Sequence, residues 1–416
     1  MRIGILTFHR ARNYGAFLQC YSLVNRIQTD FPKHSIEVID YSSANMIRYY
    51  EANEIEKIFE KGSSRINTMI LIAKRLVKAI IKPSSFFNNI RTRYAQERSF
   101  KGMADYLPLS DQQLISDDAE IFRNYLGNKY DVIVVGSDAV WNEHQTAFPN
   151  MYLLHDITNC YKLSYAASIY GMDYSKLGEE NQRYVAQSLK NFSFIGVRDS
   201  ETERYVLECL EGNVSPLHTC DPSIFLDLNA LPVDMKALKQ KLVEKGVRFD
   251  KPIVGMMCSQ WLAKKIRANL GDDYQYISIY TCNGYEDVYL DDLNPFEWAR
   301  VFALFDATFT HYFHGTLFSI KNGTPTFCIE KDSGYTKKYE TKIQDVLKRL
   351  GLFEQCYSLN GELDQKKWDV IKERLAFSSK AAVQKQYRYA LEKESQSYQA
   401  FRQGLEKVVD EYREKQ

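Results

Sequence analysis

The stretch Phe309-Thr310-His311-Tyr312-Phe313-His314-Gly315-Thr316 carries the side chains best suited to moving a proton near neutral pH. An imidazole titrates close to neutrality, so His314 can serve as a general acid or base. Gly315 would let an anion approach the backbone amides of a helix N-terminus. The plainer reading of one histidine is a cap or a hydrogen-bonded core residue. His311 and His314 are also spaced as an i, i+3 pair, but no nearby carboxylate or cysteine completes a ligand set, so no metal is expected.

Three other groups could meet a polar ligand. Arg198 closes the apolar run from Phe194 to Val197 and precedes a helix beginning at Ser200, so its planar fork could grip a carboxylate or phosphate. An ion pair with Asp199 or Asp221 is the equal alternative. In the loop from His9 to Gly15, Arg10, Arg12 and Asn13 could hold an anion or simply be solvated; the loop lacks Gly-x-Gly-x-x-Gly, which excludes a dinucleotide fingerprint. After Gly136, Ser137 and Asp138 could cap amides or bind a hydroxyl.

Regular elements must position these groups. Arg2 to Phe8, Ala16 to Gln28 and Ile36 to Asp40 read as a βαβ unit that opens an α/β domain. Tyr130 to Val135 is a nearly continuous apolar run of the kind buried in a parallel sheet. Tyr161 to Ile169 and Phe194 to Val197 supply further strands around a helix at Glu179 to Lys190. A linker at Asp227 to Val233 precedes a second alternating series: strand 252–258, helix 261–270, strand 274–280, helix 294–304. Around His314 the plan is strand, tight turn, a short helix over Thr316 to Ile320 stopped at Lys321-Asn322-Gly323, then a strand over Thr326 to Ile329. Residues 341–352 form a helix. The expected domains are 1–227 with a helical insertion at 46–118, 234–375, and a charged C-terminal helix over 376–416.

Six short blocks follow one another along the chain: Asn13-Tyr14-Gly15-Ala16-x-Leu18-Gln19, Gly136-Ser137-Asp138-x-x-Trp141-Asn142, Ser164-Tyr165-Ala166-Ala167-Ser168, Val197-Arg198-Asp199, Asp221-Pro222-Ser223 and Phe313-His314-Gly315-Thr316-x-Phe318-Ser319-Ile320. Their order resembles that of the polysaccharide pyruvyl transferase family, and the last block is similar to its Phe-His-Gly signature. The resemblance implies two Rossmann-like domains facing a cleft, as in GT-B folds. It also implies transfer of a pyruvyl group from phosphoenolpyruvate to a sugar of a cell-surface polysaccharide or its lipid-linked precursor, as a cyclic ketal and without a cofactor. His314 would be the acid, and Arg198 would hold the donor. Asn13, Tyr14, Gly15, Ser137, Asp138, Trp141, Tyr312, Gly315, Thr316 and Lys342 complete the implied binding set. Where the family often has arginine or serine, this chain has Tyr312, which brings no charge; Lys342, Arg10 or Arg12 would have to compensate. Sugar transfer from a nucleotide sugar, or glycan binding without catalysis, are the other readings.

Composition fits such an enzyme. The 416 residues exceed one compact core. Lysine plus arginine (54) nearly balance aspartate plus glutamate (53), which argues against a nucleic-acid partner. Eight scattered cysteines without a Cys-x-x-Cys pair read as reduced thiols of a cytosolic protein. The 29 tyrosines suit either sugar faces or half-buried packing. No apolar run long enough to span a membrane exists. A basic amphipathic helix over Ile66 to Lys82 could rest on the inner face of an anionic membrane, or pack on its own domain.

Overall fold

A computed structural model describes residues 1–51, 83–331, 340–359, 365–377 and 380–415. The basic helix expected at 66–82 lies outside these residues.

The chain divides into two compact units. The first holds Met1–Glu51, Gly102–Leu226 and the segment from Glu392 onward. Its strands are β1 (Arg2–Leu6), β2 (Ser35–Val38), the short β3 (Tyr41–Ser42) and β4 (Leu114–Ile115), β5 (Val132–Val135), β6 (Tyr161–Ala167), β7 (Phe194–Val197) and β8 (Leu217–His218). Six of them form one sheet in the order β2-β1-β5-β6-β7-β8, parallel throughout, while β3 and β4 pair separately. β5 is buried at all four positions, because a parallel sheet covered on both faces leaves no solvent side to alternate with.

The second unit holds the described residues of 83–101 and Asp227–Leu391. Its strands are β9 (Ile253–Met257), β10 (Gln275–Ser278), β11 (Val288–Tyr289), β12 (Ala307–Thr310), β13 (Thr326–Lys331) and β14 (Cys356–Leu359). They are ordered β11-β10-β9-β12-β13-β14 and are again all parallel. Phe309 and Phe327 stack across β12 and β13 at 4.8 Å, and both are buried. Each such ring contributes roughly 1.5–3 kcal/mol by leaving water.

Both sheets reverse direction of strand order between two neighbours, β1 and β5 in one and β9 and β12 in the other. Ligands of doubly wound folds gather outside the carboxyl ends of strands at such a switch point. The loops after β1 and β5 carry Asn13 and Ser137, and the helix that follows β12 carries His314 in its first turn.

Two assignments differ from the sequence reading. The helix Pro83–Ser99, within the insertion expected to belong to residues 1–227, is bonded to the second unit: Cys282 N donates to Thr92 Oγ1 (3.1 Å) and Arg98 reaches Asp291 (3.1 Å). The C-terminal segment is two helices, Lys380–Ser395 and Tyr398–Glu414, and the second returns to the first unit. There Phe401 meets Tyr165 edge-on at 4.9 Å, Ser397 Oγ accepts from Cys220 N, and Glu394 lies 2.6 Å from His218. The apolar spacing of Tyr398, Phe401, Leu405 and Val408 makes a helix face but does not name the surface that it covers. Among the described residues no helix is long and apolar enough to cross a membrane.

Candidate active site

β12 ends at Thr310, and the helix Phe313–Lys321 begins three residues later, so His314 and Gly315 lie in its first turn. The Thr310 hydroxyl turns the chain by accepting from Tyr312 N at 3.0 Å. Tyr312 precedes the helix without a side-chain cap, its ring packing on Tyr280 at 5.1 Å. The helix stops where expected, with Asn322 at its end and Gly323 at φ +67°, a left-handed conformation glycine adopts without strain. His314 is partly exposed and its ring stands edge-on to buried Phe313.

Gly315 serves a different contact from the expected one. A Cβ there would lie 2.6 Å from Thr310 Oγ1 and 2.7 Å from Met257 Sδ. Glycine therefore lets the first helical turn pack against the ends of β12 and β9. Gly315→Ala is expected to cost about 1–3 kcal/mol through overpacking, read as a lowered denaturation midpoint with little change in m-value. Thr316, expected to bind substrate, is fully buried; its hydroxyl lies 3.1 Å from Tyr312 O and 3.2 Å from Cys328 Sγ, which makes it a tie within the turn.

Burial without an ion partner pushes the His311 pKa down to about 4. The unfolded chain takes up this proton near 6.5 and the folded chain only near 4. Stability is therefore whole above about pH 6.5 and falls as pH drops towards 4, with a slope approaching about 1.4 kcal/mol per pH unit from this residue. His311→Gln should flatten that part of the profile in melts recorded across the range.

The next strand along the sheet brings a cation to the same edge. Lys342 opens the helix Lys342–Arg349, which follows β13, and its Nζ sits 5.7 Å over the Phe313 ring. The N-terminus of the His314 helix and the Lys342 ammonium thus lie at one edge, both favourable to an anion. The sequence reading did not pick out Glu330, at the far end of β13. It is 8% exposed, and both its oxygens lie 2.7 Å from the Thr341 hydroxyl. Burial raises its pKa, and Thr341, Cys356 and Lys342 pull it partly back.

In the first unit the strand ends carry a different chemistry. Arg198, expected to grip an anion, is enclosed: its guanidinium lies 3.3 Å from Asp221 and 3.9 Å from both Asp199 and Asp138, with the side chain 3% exposed. Burial alone would lower its pKa; the three carboxylates outweigh that and raise it. Asp199 also caps the helix Ser200–Cys209 and accepts from Ser168 Oγ (2.8 Å), which fixes its orientation.

The other expected contacts of this unit are mostly structural. Asn13 caps the helix Tyr14–Asp30 by accepting from Gly15 N and Ala16 N. Tyr14 and Gly15 are buried in its first turn. Trp141 is 2% exposed and donates Nε1–H to Tyr152 O at 3.3 Å, so it is a core residue and not a platform for a sugar. Ser137 is buried, its carbonyl accepting from Thr7 Oγ1, and Asp138 adopts φ +81° in the same turn. Arg10 forms a two-point pair with Asp40 (2.9 and 2.6 Å), which His9 also contacts at 2.9 Å. Burial pushes the Asp40 carboxyl up, but these partners prevail and hold it at about 2. Arg10 is thereby tied to the segment that follows β2. Among the described residues no group of three histidine, cysteine or acidic side chains could hold a metal ion.

Two doubly wound parallel sheets of six strands each, with charged groups at their carboxyl edges, are the hallmark of the GT-B class, and solved structures of that class share this fold. UDP-GlcNAc 2-epimerase from Neisseria meningitidis, bound to UDP-GlcNAc, aligns over 98% of this chain and 100% of its own at TM-score 0.54 and 8% identity. A glycosyltransferase from Rickettsia africae ESF-5 aligns over 99% and 98% at TM-score 0.54 and 9% identity. UDP-GlcNAc 2-epimerase from Methanocaldococcus jannaschii aligns over 91% and 93% at TM-score 0.51 and 10% identity. At such identities the likeness is one of fold alone. No curated protein matches the sequence. The family model described as polysaccharide pyruvyl transferase matches residues 13–333, about three quarters of the chain, and the chain belongs to that family.

Proposed function

We propose that the protein transfers the pyruvyl group of phosphoenolpyruvate to two hydroxyls of one sugar, giving a cyclic ketal and inorganic phosphate. The observation that carries this reading is the His314 turn: a partly exposed imidazole in the first turn of a helix at the sheet's switch point, with Lys342 beside it, inside the stretch matched by the family.

The chemistry balances without a cofactor. A proton reaches the methylene carbon of phosphoenolpyruvate, and an oxocarbenium-like centre develops at C2. One sugar hydroxyl adds there; a second forms the other C–O bond as the bond to phosphate breaks. Of the two hydroxyl protons, one replaces the proton given to carbon and the other leaves with phosphate. His314 supplies the first proton and recovers one from the attacking hydroxyl. Lys342 and the N-terminus of the His314 helix receive the anionic donor, so no charge is needed from Tyr312. Arg198 holds the strand ends of the first unit in place.

The acceptor is a sugar of a cell-surface polysaccharide or of its carrier-linked precursor, and the enzyme works in the cytosol. Phosphate release from phosphoenolpyruvate, assayed against a panel of free, nucleotide-linked and lipid-linked sugars, tests this directly. Release that needs an acceptor and yields a product heavier by one ketal-bound pyruvate supports the reading. Sugar transfer from a nucleotide sugar with no phosphate release overturns it.

A further inference from the structure

Glu330 is conspicuous because a carboxyl group buried at the carboxyl edge of a parallel sheet is costly unless it is bonded. β13 pairs with β14 so that Glu330 lies opposite Ser358, which fixes where its side chain starts. Both oxygens lie 2.7 Å from Thr341 Oγ1, and Cys356 Sγ lies 3.7 Å from Oε2. Thr341 is at the same time the cap of the helix Lys342–Arg349: its hydroxyl accepts from Gln344 N at 3.1 Å, and Gln344 Oε1 accepts from Thr341 N at 3.2 Å. The next residue is Lys342, whose ammonium stands over Phe313, the neighbour of His314.

We infer that Glu330 is a positioning residue: through the Thr341 hydroxyl it fixes the start of this helix, and so sets the Lys342 ammonium beside the His314 turn to receive the donor's charge. This rests on the functional reading above and adds a residue to it. A cap held at only one end can pivot. A cap hydroxyl held by a buried carboxyl on one side and a helix amide on the other cannot, and the residue that follows it inherits that restraint.

The test combines kinetics with amide exchange on the full chain. Lys342→Ala is expected to raise the KM for phosphoenolpyruvate about tenfold, the size of a lost charge-assisted contact. Glu330→Ala and Thr341→Val should each raise it about five- to tenfold with kcat within about threefold of wild type. Glu330→Gln and Thr341→Ser, which keep the bond, should stay near wild type. In the Lys342→Ala background Glu330→Ala should add nothing further, because both act through one ammonium. Exchange at the Ile343 and Gln344 amides should quicken in Glu330→Ala and Thr341→Val. A purely stabilising role would leave KM unmoved while lowering the denaturation midpoint, and that result, unchanged exchange, or additive KM effects would each overturn the inference. If the wild type releases no phosphate from phosphoenolpyruvate with any acceptor, the functional reading falls and takes this assignment with it. An active wild type with an unmoved KM removes this assignment alone.

Discussion

Replacing His314 by alanine is expected to lower kcat for phosphate release from phosphoenolpyruvate by about 10²–10⁴-fold, the range for loss of a positioned general acid. The fold should hardly notice. His314 is partly exposed in the first turn of its helix, and alanine is a good helix former, so the melting temperature should stay within about 2 °C of wild type. kcat and kcat/KM should fall together, since protonation of the donor carbon is an interaction made only in the transition state. His314→Gln makes the comparison stricter: an amide can hydrogen-bond from the same place but cannot deliver a proton, so it should be as inactive as alanine. Full activity in either variant would show that another group supplies the proton; a wild type as inert as the variants would favour a binding role for the chain.

Arg198→Ala is expected to have the largest effect on stability. The substitution leaves Asp138, Asp199 and Asp221 facing one another around a buried hole, without the cation that now stands 3.3–3.9 Å from each. Removing one partner from a buried ionic cluster typically costs about 3–5 kcal/mol, which in a unit of this size lowers the melting temperature by on the order of 10 °C. Adding Asp221→Asn to Arg198→Ala should recover part of the loss, because it removes one of the orphaned charges; a double-mutant cycle would measure the coupling. Activity of Arg198→Ala should therefore track the folded fraction. Arg198→Lys separates this from a donor-binding role. If it melts like wild type yet raises the KM for phosphoenolpyruvate by about tenfold or more, the guanidinium grips the donor and the enclosed arrangement opens when ligand arrives.

Much of the scaffold was legible in the sequence. The helix at Glu179–Lys190 and the one opening at Ser200 are where the apolar spacing and capping residues put them, and so is the stop after Lys321. Helices and their ends are set by bonds between residues three or four apart, so a short window of sequence contains the whole interaction. The central strands were equally plain, because a run such as Val132–Val135 has no use other than burial on both faces, whereas the short strands β3, β4, β8, β11 and β14 were not expected. The order of the blocks was enough to place the family and His314 within it.

The roles of the charged residues were decided elsewhere. Asp138, Arg198 and Asp221 are far apart in the chain and meet only because β5, β6, β7 and β8 lie side by side and end at one edge. The same is true of Arg10 with Asp40 and of the last helix, whose apolar face finds β6 and β7; Glu330 and Thr341 are nearer in the chain, but no local pattern pairs them. A local pattern fixes which way a backbone runs and which side chains share a face. Whether a guanidinium becomes a ligand grip or a buried strut depends on which carboxylates the sheet order sets within about 4 Å of it, and Coulomb energies at that range exceed any local preference. That neighbourhood exists only once the strands have assembled.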